Sequence, residues 1–223
     1  MIYIMGDLHG HYHTFITRLE KNKIKIEFND KIIICGDFTF IYDGTNERIE
    51  GLKKLAEEKC EILFVCGNHE NFVELSKFPE INKYGGRVKS IANNVSYMLR
   101  GNIYYIDGFS FFAFGGGYSN PQHQSLLWQE QEIPNHSEIQ FAYNTLNKAN
   151  RSVDYIITHS APNDILNLLN ITPFFSNTEF TDFLSFIYNN VRFKKWFCGH
   201  YHIDSSINNN TFSIVYDKIH RIF

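Results

Sequence analysis

Short apolar runs that stop abruptly at a polar cluster recur along the chain: "MIYIMGD" from residue 1, "KIIICGD" from 31, "EILFVCGN" from 61, "DYIITHS" from 154 and "KKWFCGH" from 194. Unbroken Ile, Val and Phe, without polar alternation, predicts strands covered on both faces. Between the first three runs the period changes. Residues 11–22 set Phe15, Ile16 and Leu19 on one face, and residues 45–59 set Ile49, Leu52 and Leu55. That spacing predicts amphipathic helices, and strand–helix alternation predicts parallel strands joined by crossovers.

The middle of the chain reads differently. "NNVSYML", "GNIYYID" and "FSFFAFGGG" follow one another across short turns, which predicts consecutive antiparallel strands. Ser137 with Gln140, and Ser176 with Glu179, have capping-box spacing ahead of apolar periodicity and predict two more helices. The tail, "SSINNNTFSIVYDKIHRIF", predicts a hairpin turning at Asn208–Asn210. No repeat, low-complexity tract or linker interrupts the chain. The expectation is one α/β domain over residues 1–223, with two sheets packed face to face and helices outside.

Composition narrows the class. With 43% apolar and 16% aromatic residues in 223, the chain can bury a substantial core. A net charge of −3 argues against a surface built to track nucleic-acid backbone, which needs a basic excess. "MIYIMGDLHG" has no basic region ahead of its apolar residues, and no apolar run is long enough to cross a bilayer. Cys35, Cys60, Cys66 and Cys198 show no CxxC spacing. They read as buried thiols of a reducing compartment, so a cytoplasmic protein without membrane contact is expected.

The polar ends of the five runs carry the chemistry: Asp7 and His9; Asp37; Asn68 and His69; His159; His200 and His202. In open α/β sheets ligands bind beyond the carboxyl ends of the strands, so these distant segments are expected to converge. Two carboxylates, one amide oxygen and four imidazoles suit divalent transition metals, whereas magnesium or calcium favour all-oxygen sets. His69 is then one histidine to spare. Seven ligands exceed what one ion needs; with Asp37 bridging, each of two ions has four. Asp7 and His9, like His200 and His202, are two residues apart and would point to one side in extended backbone. Gly6, Gly36, Gly67 and Gly199 would let the chain turn sharply and approach the ions closely. Taken singly, each piece reads as a turn, a half-buried histidine or a surface loop. The weight lies in all five falling just after apolar strands.

"GDLHG", "GD", "GNHE", "THS" and "GHYH", in this order, resemble the calcineurin-like metallophosphoesterases from Asp7 to His202. The resemblance implies a four-layer α/β/β/α sandwich of two mixed sheets flanked by helices, the metallo-dependent phosphatase fold, with a binuclear centre. It implies that Asp7, His9, Asp37 and His202 hold one ion and that Asp37, Asn68, His159 and His200 hold the other. Manganese is the first expectation, with Fe, Zn and Co as alternatives. His69 would protonate the leaving oxygen while a metal-bridging hydroxide attacks a phosphomonoester or phosphodiester, with a small nucleotide-like substrate expected. "GNHENF", "LRG" at 99–101, "FGGGYS" at 114–119 and the Trp128–Glu130 stretch are similar to a subgroup of bacterial and phage phosphoesterases.

The chain also departs from the family. Its second motif reads "GDFTFIYDG", with Phe40 and Ile41 where the phosphoprotein-phosphatase branch has the Asp and Arg of "GDxxDRG". This counts against phosphoprotein and dinucleoside-polyphosphate substrates. Arg87 and Arg100 are the cations left to meet a phosphate, though neither has a motif turning it inward. Pro121 and Gln122 stand where the subgroup has an acid and a base. His11 and His13 are expected exposed at a helix start, and Tyr42, Tyr118, His123 and Trp128 lie in loops able to wall the pocket. A nuclease, a phosphoprotein phosphatase and a catalytically silent binding protein remain alternatives.

Overall fold

Every one of the five polar-ended runs forms a strand, and the strands divide between two sheets. The computed structural model describes residues 1–119, 129–173, 178–207 and 209–222. The expectations placed on Pro121, Gln122, His123, Trp128, Ser176 and Asn208 lie outside those residues.

In the first sheet β1 (Ile2–Met5), β2 (Lys31–Ile34), β3 (Glu61–Phe64) and β6 (Val95–Met98) run parallel, in that order across the sheet. β13 (His220–Ile222) adds antiparallel beside β1, and the hairpin of β4 (Glu80–Lys83) and β5 (Gly86–Ala92) adds beside β6. In the second sheet β8 (Phe109–Phe114), β9 (Tyr155–Thr158), β10 (Lys195–Cys198) and β12 (Phe212–Ile214) run parallel. β7 (Asn102–Ile106) and β11 (Ser205–Ile207) close its two edges antiparallel. β11 and β12 are the arms of the expected tail hairpin.

Strand residues alternate between layers. Ile2, Ile4, Ile33, Leu63, Phe111, Ala113 and Ile157 pack between the sheets. Their neighbours Tyr3, Met5, Ile32, Ile34 and Phe64 meet α1 (Tyr12–Lys21) and α2 (Asn46–Ala56) through Phe15, Leu19 and Leu55. On the far side Phe112, Phe114, Ile156 and Trp196 meet α4 (His136–Lys148), α5 (Asn163–Leu168) and α6 (Glu179–Asn190). Three apolar layers between helix, sheet, sheet and helix explain why the strands read as unbroken apolar runs.

Some expectations are corrected. β6 and β7 are not antiparallel partners, because β3 and β5 occupy both edges of β6 and the chain crosses into the other sheet at Leu99–Gly101. The cap of α4 is Asn135, in a reciprocal box with Glu138, and not Ser137 with Gln140. Glu138 also pairs with the buried Arg100 at 3.0 Å, an interaction that a glutamine at 140 does not offer. α6 is capped by Thr178 with Thr181. Ile49 lies exposed at 42%, and Gly51 takes the buried face of α2.

Candidate metal centre

The five strands end side by side, β1, β2 and β3 from one sheet and β9 and β10 from the other, so all the predicted polar residues meet. Asp7 is buried, and its carboxylate accepts from the His200 backbone N–H at 3.2 and 3.1 Å. His202 Nε2 lies 3.4 Å from Asp7 Oδ2 and 2.9 Å from His9 Nε2. Asp7, His9 and His202 thus form one group that can hold a metal ion.

A second group gathers around His159. Its Nδ1 donates to the Cys35 carbonyl at 2.8 Å, which turns Nε2 toward the cluster. There Nε2 meets Asn68 Oδ1 at 3.0 Å, His200 Nδ1 at 3.2 Å and Asp37 Oδ1 at 3.4 Å. Asp37 Oδ1 faces His159 and its Oδ2 lies 3.8 Å from His9 Nδ1, while Asp7 is common to both groups that can hold an ion, Asp7–His9–His202 and Asp7–Asp37–His159. So many lone pairs at such separations repel one another unless a shared cation lies among them, and the mixed N/O set fits a divalent transition metal.

Electrostatics match that role. Burial pushes the Asp37 carboxyl up, but His159, His69, His9 and the His69 backbone N–H outweigh it and hold the group at about 2. Burial, then His159, drives His200 down to about 3, and burial lowers His9. An ionised carboxylate and neutral imidazoles are the forms a metal takes. His202 differs: its hydrogen bond with Asp7 raises it.

The local backbone is unusual. His9, Asp37, His200 and His202 have φ of 50°, 46°, 73° and 51°. The paired residues therefore share a side through left-handed turns and not through extended backbone as expected. Such φ values cost about 1–3 kcal/mol each and need a brace. For Asp37 and Thr39 (φ 61°) the brace is Glu70, whose carboxylate accepts from Phe38 N at 2.8 Å and Thr39 N at 3.0 Å. Burial and the neighbouring Asp37 charge push Glu70 up to about 8, against amide donors that favour its ionised form. A Cβ at Gly36 would lie 2.2 Å from His159 Nδ1, and one at Gly67 2.0 Å from Asp37 Oδ1. At these two positions the glycine makes room for a candidate ligand.

His69 sits at the rim, its ring centroid 5.7 Å from that of His9. Among the described residues no side chain hydrogen-bonds its ring. Neither expected arginine reaches the cluster: Arg87 pairs with exposed Glu80, and Arg100 is buried on Glu138 and the carbonyls of Gly115, Gln131 and Glu132. His11 and His13 are exposed, as expected. Tyr118 helps wall a cavity of about 250 Å³ that opens beside His200 and His202, with Tyr201, Phe180, Leu166 and Ile171. Tyr42 lines a different hollow, with Phe40 and Ile49. All four cysteines are buried and free.

Two supports escape sequence reasoning. Glu70 is adjacent to His69 in the chain, but its partners Phe38 and Thr39 lie on another loop. The Tyr216 ring stacks on His202 at 4.7 Å, with the buried Arg18 guanidinium 4.5 Å from the same ring. No spacing in the chain signals that contact.

The sequence model of the calcineurin-like phosphoesterase family matches residues 1–204. No curated protein matches the chain. Solved structures that it resembles include a protein of Staphylococcus aureus assigned as a 5′-nucleotidase, in complex with α-ketoglutarate, at a TM-score of 0.51 and 12% identity. That match covers 96% of this chain and 48% of the other, so this chain spans about half its length. Phosphopantetheinyl hydrolase of Mycobacterium tuberculosis matches at 0.51 and 14% identity, over 97% of this chain and 89% of that one. At these identities the likeness is one of fold.

Proposed function

The chain belongs to the calcineurin-like phosphoesterase family of metal-dependent phosphoester hydrolases, and we propose that it cleaves a small, nucleotide-like phosphomonoester or phosphodiester with two divalent ions. The observation that supports this most is the convergence of two overlapping ligand groups, Asp7–His9–His202 and Asp7–Asp37–His159, with Asp37 lying between His159 and His9. Asp37, Asn68, His159 and His200 would hold one ion, and Asp7, His9, Asp37 and His202 the other. When bound, such a pair supplies an activated water near neutral pH and neutralises charge on the phosphoryl oxygens.

The remaining work falls to the chain. Burial of Asp7 and His159 keeps bulk water from the inner side of the cluster. His69, at the rim and without a described side-chain partner, donates a proton to the departing oxygen. The aromatic and apolar wall beside His200 and His202 suits a flat organic leaving group. Phe40 and Ile41 offer neither the acid nor the cation of the phosphoprotein-phosphatase motif, and both are apolar in a mostly buried setting. A net charge of −3 weighs against a polynucleotide substrate.

The test is a substrate panel with Mn²⁺: p-nitrophenyl phosphate, its bis-ester, nucleotides, cyclic nucleotides, dinucleoside polyphosphates, phosphopeptides and single- and double-stranded DNA. Turnover of small mono- or diesters is expected. Cleavage confined to DNA or to phosphopeptides contradicts the substrate class, and no turnover of any substrate contradicts the proposal.

A further inference from the structure

We propose that Glu132 and Ser119 fix which end of the Asn68 carboxamide faces the metal centre. The inference rests on the two-ion reading above. Glu132 ends a short 3₁₀ turn, Glu130–Glu132, and is only 2% exposed. Among the described residues its carboxylate meets just two donors, both from Ser119: the backbone N–H at 2.9 Å on Oε1 and the hydroxyl at 2.7 Å on Oε2. A buried carboxylate is costly unless it is paired, and among the described residues no cation pairs with this carboxylate, the nearby Arg100 guanidinium donating to the Glu132 carbonyl instead at 3.1 Å.

The donor count supplies a reason. Ser119 has one hydroxyl proton and gives it to Glu132, so its oxygen has only lone pairs left. The group 3.2 Å away is then the NH₂ of Asn68, and not its oxygen. The amide oxygen is thereby turned the other way, toward His159 Nε2 at 3.0 Å. A carboxamide with its NH₂ inward would present donors where a cation needs a lone pair. Ser119 and Glu132 are positioning residues that act through Asn68.

Glu132→Gln preserves shape and reverses this logic. Its oxygen must stay opposite the Ser119 N–H, which places its NH₂ against the hydroxyl oxygen. Ser119 then turns its proton toward residue 68, and the carboxamide flips. The experiment is equilibrium dialysis of Mn²⁺ into metal-free protein, with thermal unfolding of the same samples. Wild type is expected to take up two equivalents, and E132Q to bind one of them about 10–100-fold more weakly without a change in the unfolding temperature of the metal-free form. Asn68→Asp in the E132Q background is expected to restore much of that affinity, because a carboxylate accepts from Ser119 and still offers an oxygen inward. A packing role for Glu132 gives no such rescue.

Should E132Q fail to fold, Ser119→Ala answers the same question: the lock is gone, and the same equivalent weakens by a smaller factor. Two equivalents bound by the foldable variant as tightly as by wild type overturn the positioning role and leave the centre standing. A wild-type protein that takes up fewer than two overturns the two-ion reading and this inference with it.

Discussion

His159 is wholly buried and His202 keeps half of its side chain in solvent, 0% against 49%, although both face the same cluster. The difference extends to how each is held. On the inner side four candidate ligands have a second partner in the protein: His159 on the Cys35 carbonyl, Asn68 on Ser119, Asp7 on the His200 amide, Asp37 on the His69 amide. At the rim, His202 rests on the ring of Tyr216, and among the described residues the hydrogen-bond and ion-pair contacts of the His9 ring are to the candidate ligands Asp7, Asp37 and His202. The inner half is therefore part of the folded core as well as a ligand set. The rim half is more exposed, with 49% of the His202 side chain and 28% of the His9 side chain in solvent.

The largest effect is expected where the two halves join. Asp37→Asn removes the carboxylate that addresses both groups, so kcat/KM should fall by roughly 10³-fold or more and both Mn²⁺ equivalents should weaken. Activity that survives unchanged would break the shared-ligand picture. His69→Ala should lower kcat by about 10²–10⁴-fold with metal content intact, and by less for p-nitrophenyl esters, whose leaving group needs little protonation. Parallel loss of metal would make His69 a ligand instead.

The contrast between halves is read most clearly in metal-free protein by urea unfolding. His159→Ala leaves a buried hole and an unpaired Cys35 carbonyl, and should cost about 2–4 kcal/mol. His202→Ala should change stability by less than about 0.5 kcal/mol while still weakening metal binding. Equal costs would erase the distinction.

A pH dependence separates the centre from the rest of the molecule. His220, on β13, is lowered to about 4 by burial and then by Lys195 and Lys218. A depressed imidazole means that the unfolded chain binds the proton more readily, so stability present above pH 6.5 is lost as pH falls from 6.5 toward 4. After solvent screening this amounts to about 1 kcal/mol. His220→Gln should flatten the dependence of the unfolding temperature over that window, leaving a residual slope to the cluster, where the histidines are opposed by Glu70 with its raised carboxyl. A slope unchanged by the substitution would contradict the role given to His220.

What sequence conveys here follows from contiguity. An apolar run and the polar residues that end it are neighbours in the chain, so β1, β2, β3, β9, β10 and the eight candidate side chains could be read together. The same logic fails where a second strand decides the outcome. "NNVSYML" and "GNIYYID" look like hairpin arms, but β3 and β5 already hold both edges of β6. Asn135 displaces Ser137 as a cap because its box partner also meets Arg100. Glu70, the Ser119–Glu132 pair and the Arg18–Tyr216 stack act across loops, and their hydrogen-bonding or stacking partners have no signature in local spacing. Left-handed φ at His9, Asp37, His200 and His202 is equally hidden, since Asp and His tolerate that region but do not mark it as glycine does.

Anomalous diffraction from crystals grown with Mn²⁺ tests the central claim most directly. Two peaks are expected, one bounded by Asp37, Asn68, His159 and His200 and the other by Asp7, His9, Asp37 and His202, with Asp37 touching both. A single peak, or manganese bound elsewhere while these side chains stand apart, would contradict it.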